Sequence, residues 1–423
     1  MTNAKEFGAR GDGTTDDASA LQRALDGGDG DVCLPPGDYR LGRPLGVRLE
    51  RGRTSLRGSG GCARLVMAAP GPALRLLGTH RGSADPRQTA GAVMERQRMP
   101  RVSDLEIVGG HPEADGVEIA FTMQATLTQL VIQRCRHAIR LIERNRNVII
   151  GECHLYNNRG VGVLLDQVNL HQINIVGCHI SYNRGGGVKV WHSEVRNLQL
   201  AGNDIEYNFD AGAEASADVW IETGAGSVRE GAITGNTIQA LPSPGGANLR
   251  IVGQSAEVGH KAGLLTVSGN LISSQETNVL LQWARGVVFC GNTFFSGHRR
   301  TIHAVQCANL VFSGCVFDHN PDYAPETRDG VLLEECEGCV LSGLHFADIL
   351  AGSDGEGGCV ETVRCRQVSV TGCVFRNPRH RALVLRQCEG ARVAGCVVWG
   401  GGGPAGDGRA VQIVGGQDVV VSP

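Results

Sequence analysis

Along most of the chain apolar and polar residues alternate one for one in short runs, as in "GVGVLL", "GGVKVW", "ADVWIE" and "NLRIVG". A period of two marks strands with one face buried and the other wet. The alternation is cut by a recurring phrase: Gly, then Asn or Cys, a variable residue, then Ile, Phe or Val. It reads "GCHI" from Gly177, "GNDI" from Gly202, "GNTI" from Gly235, "GNLI" from Gly269, "GNTF" from Gly291, and "GCVF" from Gly314 and Gly372. From Gly151 to Gly395 these glycines recur every 22 to 34 residues.

Repeats this short cannot hold a propeller blade of ~40 to 45 residues, and none carries a 3.6-period stretch long enough for a helix. The pattern predicts an all-β fold, a single-stranded parallel β-helix of about ten or more coils, one per repeat. Coils stack ~4.8 Å apart, so equivalent residues stand over one another. The residue after each glycine then forms a ladder through Cys178, Asn203, Asn236, Asn270, Asn292 and Cys315. Amides there bond neighbouring coils, and sulfur fills the same slot.

Residues 1–45 break the pattern. Thr15 as a cap, Asp16 and Asp17 in the first turn, and Ala20, Leu21, Ala24 and Leu25 on one face predict a helix over about 16–26. A strand at "DVCL" and a Pro-Pro-Gly turn follow. Such a helix would cover the open edge of the first coil. Residues 46–423 read as one continuous β-helix, with loop insertions near 78–100, 208–217 and 240–247.

The stretch "FGARGDGTTDDASALQRAL…VCLPPGDYRL" resembles the N-terminal signature of the pectate-lyase-like superfamily, polygalacturonase-related right-handed parallel β-helix proteins. The resemblance implies a right-handed helix with an N-terminal α-helical cap. It also implies a carbohydrate-active role, shared among hydrolases, lyases, epimerases and tailspikes, so individual residues must choose between them. Asp16-Asp17 is the one Asp-Asp of the polygalacturonase pattern, and it falls in the cap. "VWIE", Val219 to Glu222, is similar to the Val-Trp-Ile-Asp-His element of pectate lyases, and "RNPRHR", Arg376 to Arg381, to their Arg-x-Pro-x-x-Arg.

A net charge of −3 with 20% charged residues leaves no basic arm for nucleic acid, and no apolar run is long enough to span a membrane. The single C-x-x-C among 15 cysteines, Cys336 and Cys339, lacks the second pair a zinc site needs. The expectation is no metal and no cofactor, with calcium entering only with lyase chemistry. An odd set of thiols and no export signal predict a cytoplasmic location for the chain as written, or a secreted one if a signal has been removed.

Candidate chemistry follows from stacking the coils. With Val161, Val188, Val219, Leu249 and Val279 in one inward slot, one outward row reads Gly162, Lys189, Trp220, Arg250 and Leu280. The next reads Leu164, Trp191, Glu222, Val252 and Gln282. Trp191 and Trp220 offer flat faces to sugar rings, Lys189 and Arg250 suit an acidic sugar, and His192 adjoins Trp191. Asp218 and Glu222, with Asp210 and Glu214 from the loop above, are candidates for acid, base or nucleophile in glycosidic hydrolysis.

A second patch has Asp204 and Glu206 flanking inward Ile205, ~7 Å apart at strand rise and within the range of inverting glycosidases. His179 and His154 stack under Asp204, and Ser181 and Tyr156 under Glu206. A polysaccharide lyase or uronate epimerase is the alternative, with Lys189 or an arginine catalytic. A non-catalytic glycan-binding or tailspike-like assembly protein, a homotrimer, is the third reading. In each case the partner is a polysaccharide or oligosaccharide.

Overall fold

A computed structural model describes residues 1–82, 85–320, 322, 327–352, 356–400 and 410–422. The chain is an all-β parallel solenoid of about 15 turns. It divides into two compact units, Met1–Asn208 and Phe209–Pro423.

In the first unit a coil consists of three strands, such as Val161–Asp166, Asn169–Val176 and His179–Ser181. The next coil repeats them as Gly186–Trp191, Glu194–Ala201 and Asp204–Glu206. Pairing is parallel, one coil to the next: Val163 with Val188, Ile173 with Leu198, Ile180 with Ile205. These inward residues are fully or almost fully buried.

The chain bends at residues in the left-handed region, between strands at Gln167, Gly177 and Tyr182 in one coil and His192, Gly202 and Tyr207 in the next, and midway along the long strands at Gln172 and Asn197. Such bends cost a side-chain-bearing residue energy, so something must hold them. Two ladders do so. Cys178 N donates to Asn203 Oδ1 at 2.9 Å. At another corner Asn158 Nδ2 donates to Asn183 Oδ1 at 2.8 Å, and Asn183 Nδ2 to Asn208 Oδ1 at 2.9 Å.

The N-terminal helix α1 spans Ala18–Gly27 and buries Ala18, Ala20, Leu21 and Ala24. It begins later than expected, and Thr15 does not cap it. Asp12–Asp16 is a strand, and the Asp12 carboxylate binds both the backbone N–H and the hydroxyl of Thr15. The cap position belongs to Asp17, whose carboxylate turns back to accept from Arg10 N and Gly11 N at 2.7 and 2.9 Å. Hence the Gly-Asp-rich opening is a backbone clamp.

In the second unit the asparagine ladder runs through Asn236, Asn270 and Asn292, with Nδ2-to-Oδ1 bonds of 2.9 Å at both steps. Cys315 follows it at 3.8 Å from Asn292 Nδ2. Another corner is filled by sulfur: Ala284 N donates to Cys307 Sγ, and Cys336 N to Cys365 Sγ, both at 3.4 Å. Cys336 and Cys339 are therefore buried fillers. Phe294, Phe317, Phe346 and Phe375 stack in the core, centroids 4.4 to 5.1 Å apart. All fifteen cysteines are unpaired. Among the described residues no helix is long and apolar enough to cross a membrane.

Candidate functional site

The expected residues divide between the units, and each group is described by itself. In the second unit Trp220 pairs with Arg250, and Glu222 with Val252. The Arg250 guanidinium lies 5.0 Å from the Trp220 ring centroid, and Trp220 Nε1 donates to Glu222 Oε2 at 3.0 Å. Burial pushes the Arg250 pKa down.

Asp218 does not belong to this surface. It is 1% exposed and accepts from Asn248 Nδ2 at 3.1 Å. Its position is taken by buried Asn248 and Asn278 on the following coils, an interior polar column in which Asn278 Nδ2 turns to Ile272 O and Phe295 O. A carboxylate so enclosed cannot reach a sugar, which removes Asp218 as a catalytic acid or base. Asp210 folds over its own turn, its carboxylate accepting from Gly212 N, while Glu214 is exposed. The four carboxylates proposed for hydrolysis are thus not a matched pair around one groove.

In the first unit the register expected at Val161 is two residues off. Val161 pairs with Gly186 and Val163 with Val188. Consequently Leu164, not Gly162, lies beside Lys189, and Asp166, not Leu164, lies beside Trp191. The Lys189 ammonium sits 4.1 Å from the Trp191 ring centroid, and His192 stacks on that ring at 4.3 Å. Asp166 accepts from Arg140 Nε at 3.0 Å; Arg140 also reaches Glu118, which holds Arg75 at 2.6 Å. This ionic row, overlooked in the sequence, leads directly to the tryptophan.

The second patch rests on a local repeat, "HLYNN" from His154, "HISYN" from His179 and "DIEYN" from Asp204. His154, His179 and Asp204 pair in register, as do Tyr156, Ser181 and Glu206. The two imidazole centroids are 5.0 Å apart, and His179 Nδ1 is 3.6 Å from Asp204 Oδ2. Burial first, and then the Asp204 charge, push the Glu206 carboxyl above its ordinary range, with His179 opposing. At the following left-handed corner Tyr182 and Tyr207 stack at 5.5 Å with rings 6° apart. Behind them lie buried Asn183 and Asn208. Sequence reasoning found the acid/base groups but not the tyrosine stack, whose signal was the Tyr-Asn pair repeated before each bend.

Residues 1–75 match the family described as rhamnogalacturonase A/epimerase, pectate lyase-like, and residues 87–223 match the right handed beta helix region. The resemblance to pectate-lyase-like right-handed β-helix proteins is thus borne out over these two segments. Mannuronan C5-epimerase AlgE6 of Azotobacter vinelandii is 39% identical over 84 residues, 18% of this chain and 10% of the epimerase. Alginate lyase 7 of the same organism is 54% identical over 43 residues, 9% of this chain and 5% of the lyase. The chain therefore spans only a small part of either. Among solved structures, PfbA, a surface adhesin of Streptococcus pneumoniae, superposes with a TM-score of 0.51 at 15% identity, covering 81% of this β-helix and 92% of the adhesin. That likeness speaks to the fold alone.

Chemistry on a β-helix sits in its outward rows, because the inward ones are consumed by packing. Two rows of the first unit qualify: the Lys189–Trp191 platform with its ionic neighbours, and the His179–Asp204–Glu206 patch with stacked tyrosines. Among the described residues no three His, Cys, Asp or Glu side chains converge on a metal position.

Proposed function

We propose that this β-helix is a carbohydrate-active enzyme that cleaves glycosidic bonds, with Glu206 as general acid and Asp204 as the base that activates water. One observation carries the reading: Glu206, with its pKa raised, lies two residues from Asp204 on a rigid strand beside stacked tyrosines. Raising one carboxyl of a pair is how an acid and a base are told apart. Positions two apart on a strand lie ~7 Å apart along it, a spacing that leaves room for the water that inverting hydrolysis needs. His179 steadies Asp204, and Tyr182 and Tyr207 present ring faces to a sugar. In the same reading α1 covers the first coil.

The test is turnover on a panel of neutral and acidic polysaccharides. Glu206→Gln and Asp204→Asn should each cut the release of reducing ends by roughly 10² to 10⁴, and the anomeric signal of the first product should be inverted. Unchanged rates in both variants would remove the patch from catalysis.

A second reading, lyase or epimerase chemistry on a uronate, is favoured by the short segments shared with a mannuronan epimerase and an alginate lyase. Lys189 beside Trp191 suits a uronate carboxylate. An ultraviolet-absorbing unsaturated product, or inverted C5 stereochemistry without cleavage, would select it. Retained glycan binding without turnover would instead select the binder or assembly role.

A further inference from the structure

The first unit has a concave groove that none of the chemistry above uses. It encloses about 490 Å³ and lies where the long strands bend in mid-course. The bends fall at Asn147, Gln172 and Asn197 within their strands and at Gln124 just before Thr126–Gln133, all in the left-handed region and one coil apart. Asn174 and Gln199, paired in register, stand on the wall. No carboxylate or cation lines the groove. Its chemistry is a column of primary amides, each with two donors and an acceptor, repeated at the coil spacing of ~4.8 Å.

Structural need explains only part of this. Asparagine tolerates a left-handed bend, but glutamine has no such advantage, and glycine would be the least costly choice. The amides do not saturate each other either: Gln124 Oε1 and Asn147 Oδ1 are enclosed without a hydrogen-bond partner. Amides that leave acceptors unmet on a polar groove wall can turn to accept from a ligand hydroxyl.

We propose that this groove binds an uncharged sugar chain running parallel to the coil stack. Vicinal hydroxyls donate and accept together, which matches a primary amide, and the coil spacing is close to the length of one pyranose unit, giving about one amide pair per sugar. The absence of charge disfavours a polyuronate, which would leave its carboxylates without partners. A neutral glycan chain needs only hydrogen bonds and the apolar edge of Ile149. The inference stands apart from hydrolysis at Glu206, because it concerns binding at a different corner of the same coils.

Maltohexaose, cellohexaose and laminarihexaose serve as probes, titrated calorimetrically into the whole protein. At least one should bind, with an affinity indifferent to salt. Asn174→Ala and Gln199→Ala carry ordinary backbone angles and should leave the fold intact. Each should weaken binding about tenfold, the equivalent of one or two neutral hydrogen bonds. Asn174→Trp should block the groove outright, while Glu206→Gln should bind as the wild type does. The proposal is overturned if no neutral hexasaccharide binds or if the alanine variants bind unchanged. It is equally overturned if only a mannuronate hexamer binds in a salt-sensitive way, or if the groove closes by self-association that Asn174→Trp abolishes.

Discussion

Replacing Asn183 with alanine tests the corner that carries the candidate site. Asn183 is fully buried and makes four ladder contacts. Its Nδ2 donates to Leu155 O at 3.0 Å and Asn208 Oδ1 at 2.9 Å; its Oδ1 accepts from Asn158 Nδ2 at 2.8 Å and Asn158 N at 3.3 Å. Each neutral bond contributes about 1 kcal/mol net, and a buried group left without a partner costs about 1 to 3 kcal/mol. Four bonds are lost, though Asn158 Nδ2 keeps Ile132 O and Asn208 Oδ1 keeps Asn183 N, and the vacated polar space can admit a water for the other two groups. The expected loss is therefore about 3 to 5 kcal/mol. Because coils couple only to their neighbours, the damage should stay local.

Urea unfolding of the full chain, with hydrogen exchange of amides at residues 155–158 and 205–208, measures both the size and the reach of the effect. Asn174→Ala, on an exposed wall, is the matched control and should cost under about 0.5 kcal/mol. If Asn183→Ala loses less than about 1 kcal/mol, the ladder is not what holds the left-handed Tyr182, and the rigidity assumed for the tyrosine stack is wrong.

Two glycines with the same backbone geometry should respond differently. Gly235 at φ +62° has nothing near a prospective Cβ, whereas at Gly245, φ +56°, that atom would meet Glu214 O at 2.4 Å. Gly235→Ala should cost about 1 kcal/mol; Gly245→Ala should cost about 3 kcal/mol or more and displace the 210–215 loop. Equal melting shifts would contradict the clash argument. His80 is 1% exposed, and burial, then the Arg144 and Arg146 charges, push its pKa from 6.5 down to about 4. The unfolded chain takes up this proton first, so stability present above pH 6.5 is lost as pH falls toward 4, by about 3 kcal/mol. His80→Gln should flatten that part of the pH profile, and a wild-type-like acid limb would contradict it. Activity should be bell-shaped in pH, with the alkaline limb set by Glu206; Glu206→Gln should abolish that limb along with most of the rate.

Strand periodicity and the glycine phrase made the solenoid legible, because every coil must solve the same packing and bending problem with the same residue types. Register was less secure. Val161 and Val163 both face inward, so a period of two cannot distinguish them. Counting from the ladder would have done so: Val161 is three residues after Asn158 and Gly186 three after Asn183, which is the pairing observed. Asp218 misled for a related reason. Its parity is outward, but it stands in the first half of its strand, Ser216–Glu222, where four successive residues are all buried. The column Asp218, Asn248, Asn278 was as plain a signal of a buried position as Asn236, Asn270, Asn292.

A repeat protein records its chemistry where one coil departs from its neighbours. Residues that recur from coil to coil, such as Asn158, Asn183 and Asn208, are explained by the stack and need no substrate. A departure within a recurring phrase is not explained that way. In "HLYNN", "HISYN" and "DIEYN" the apolar residue and the closing asparagine persist, while His154 and His179 give way to Asp204, and Tyr156 and Ser181 to Glu206. Placing two carboxyls two residues apart on one strand, one of them part-buried, carries a cost: burial first, and then the Asp204 charge, raise the pKa of Glu206, and neither carboxyl extends the asparagine ladder. Reverting the pair to the repeat, Asp204→His with Glu206→Ser, should therefore leave stability unchanged or slightly higher while removing turnover. A reverted chain that unfolds more readily would show that the carboxyls serve the fold after all.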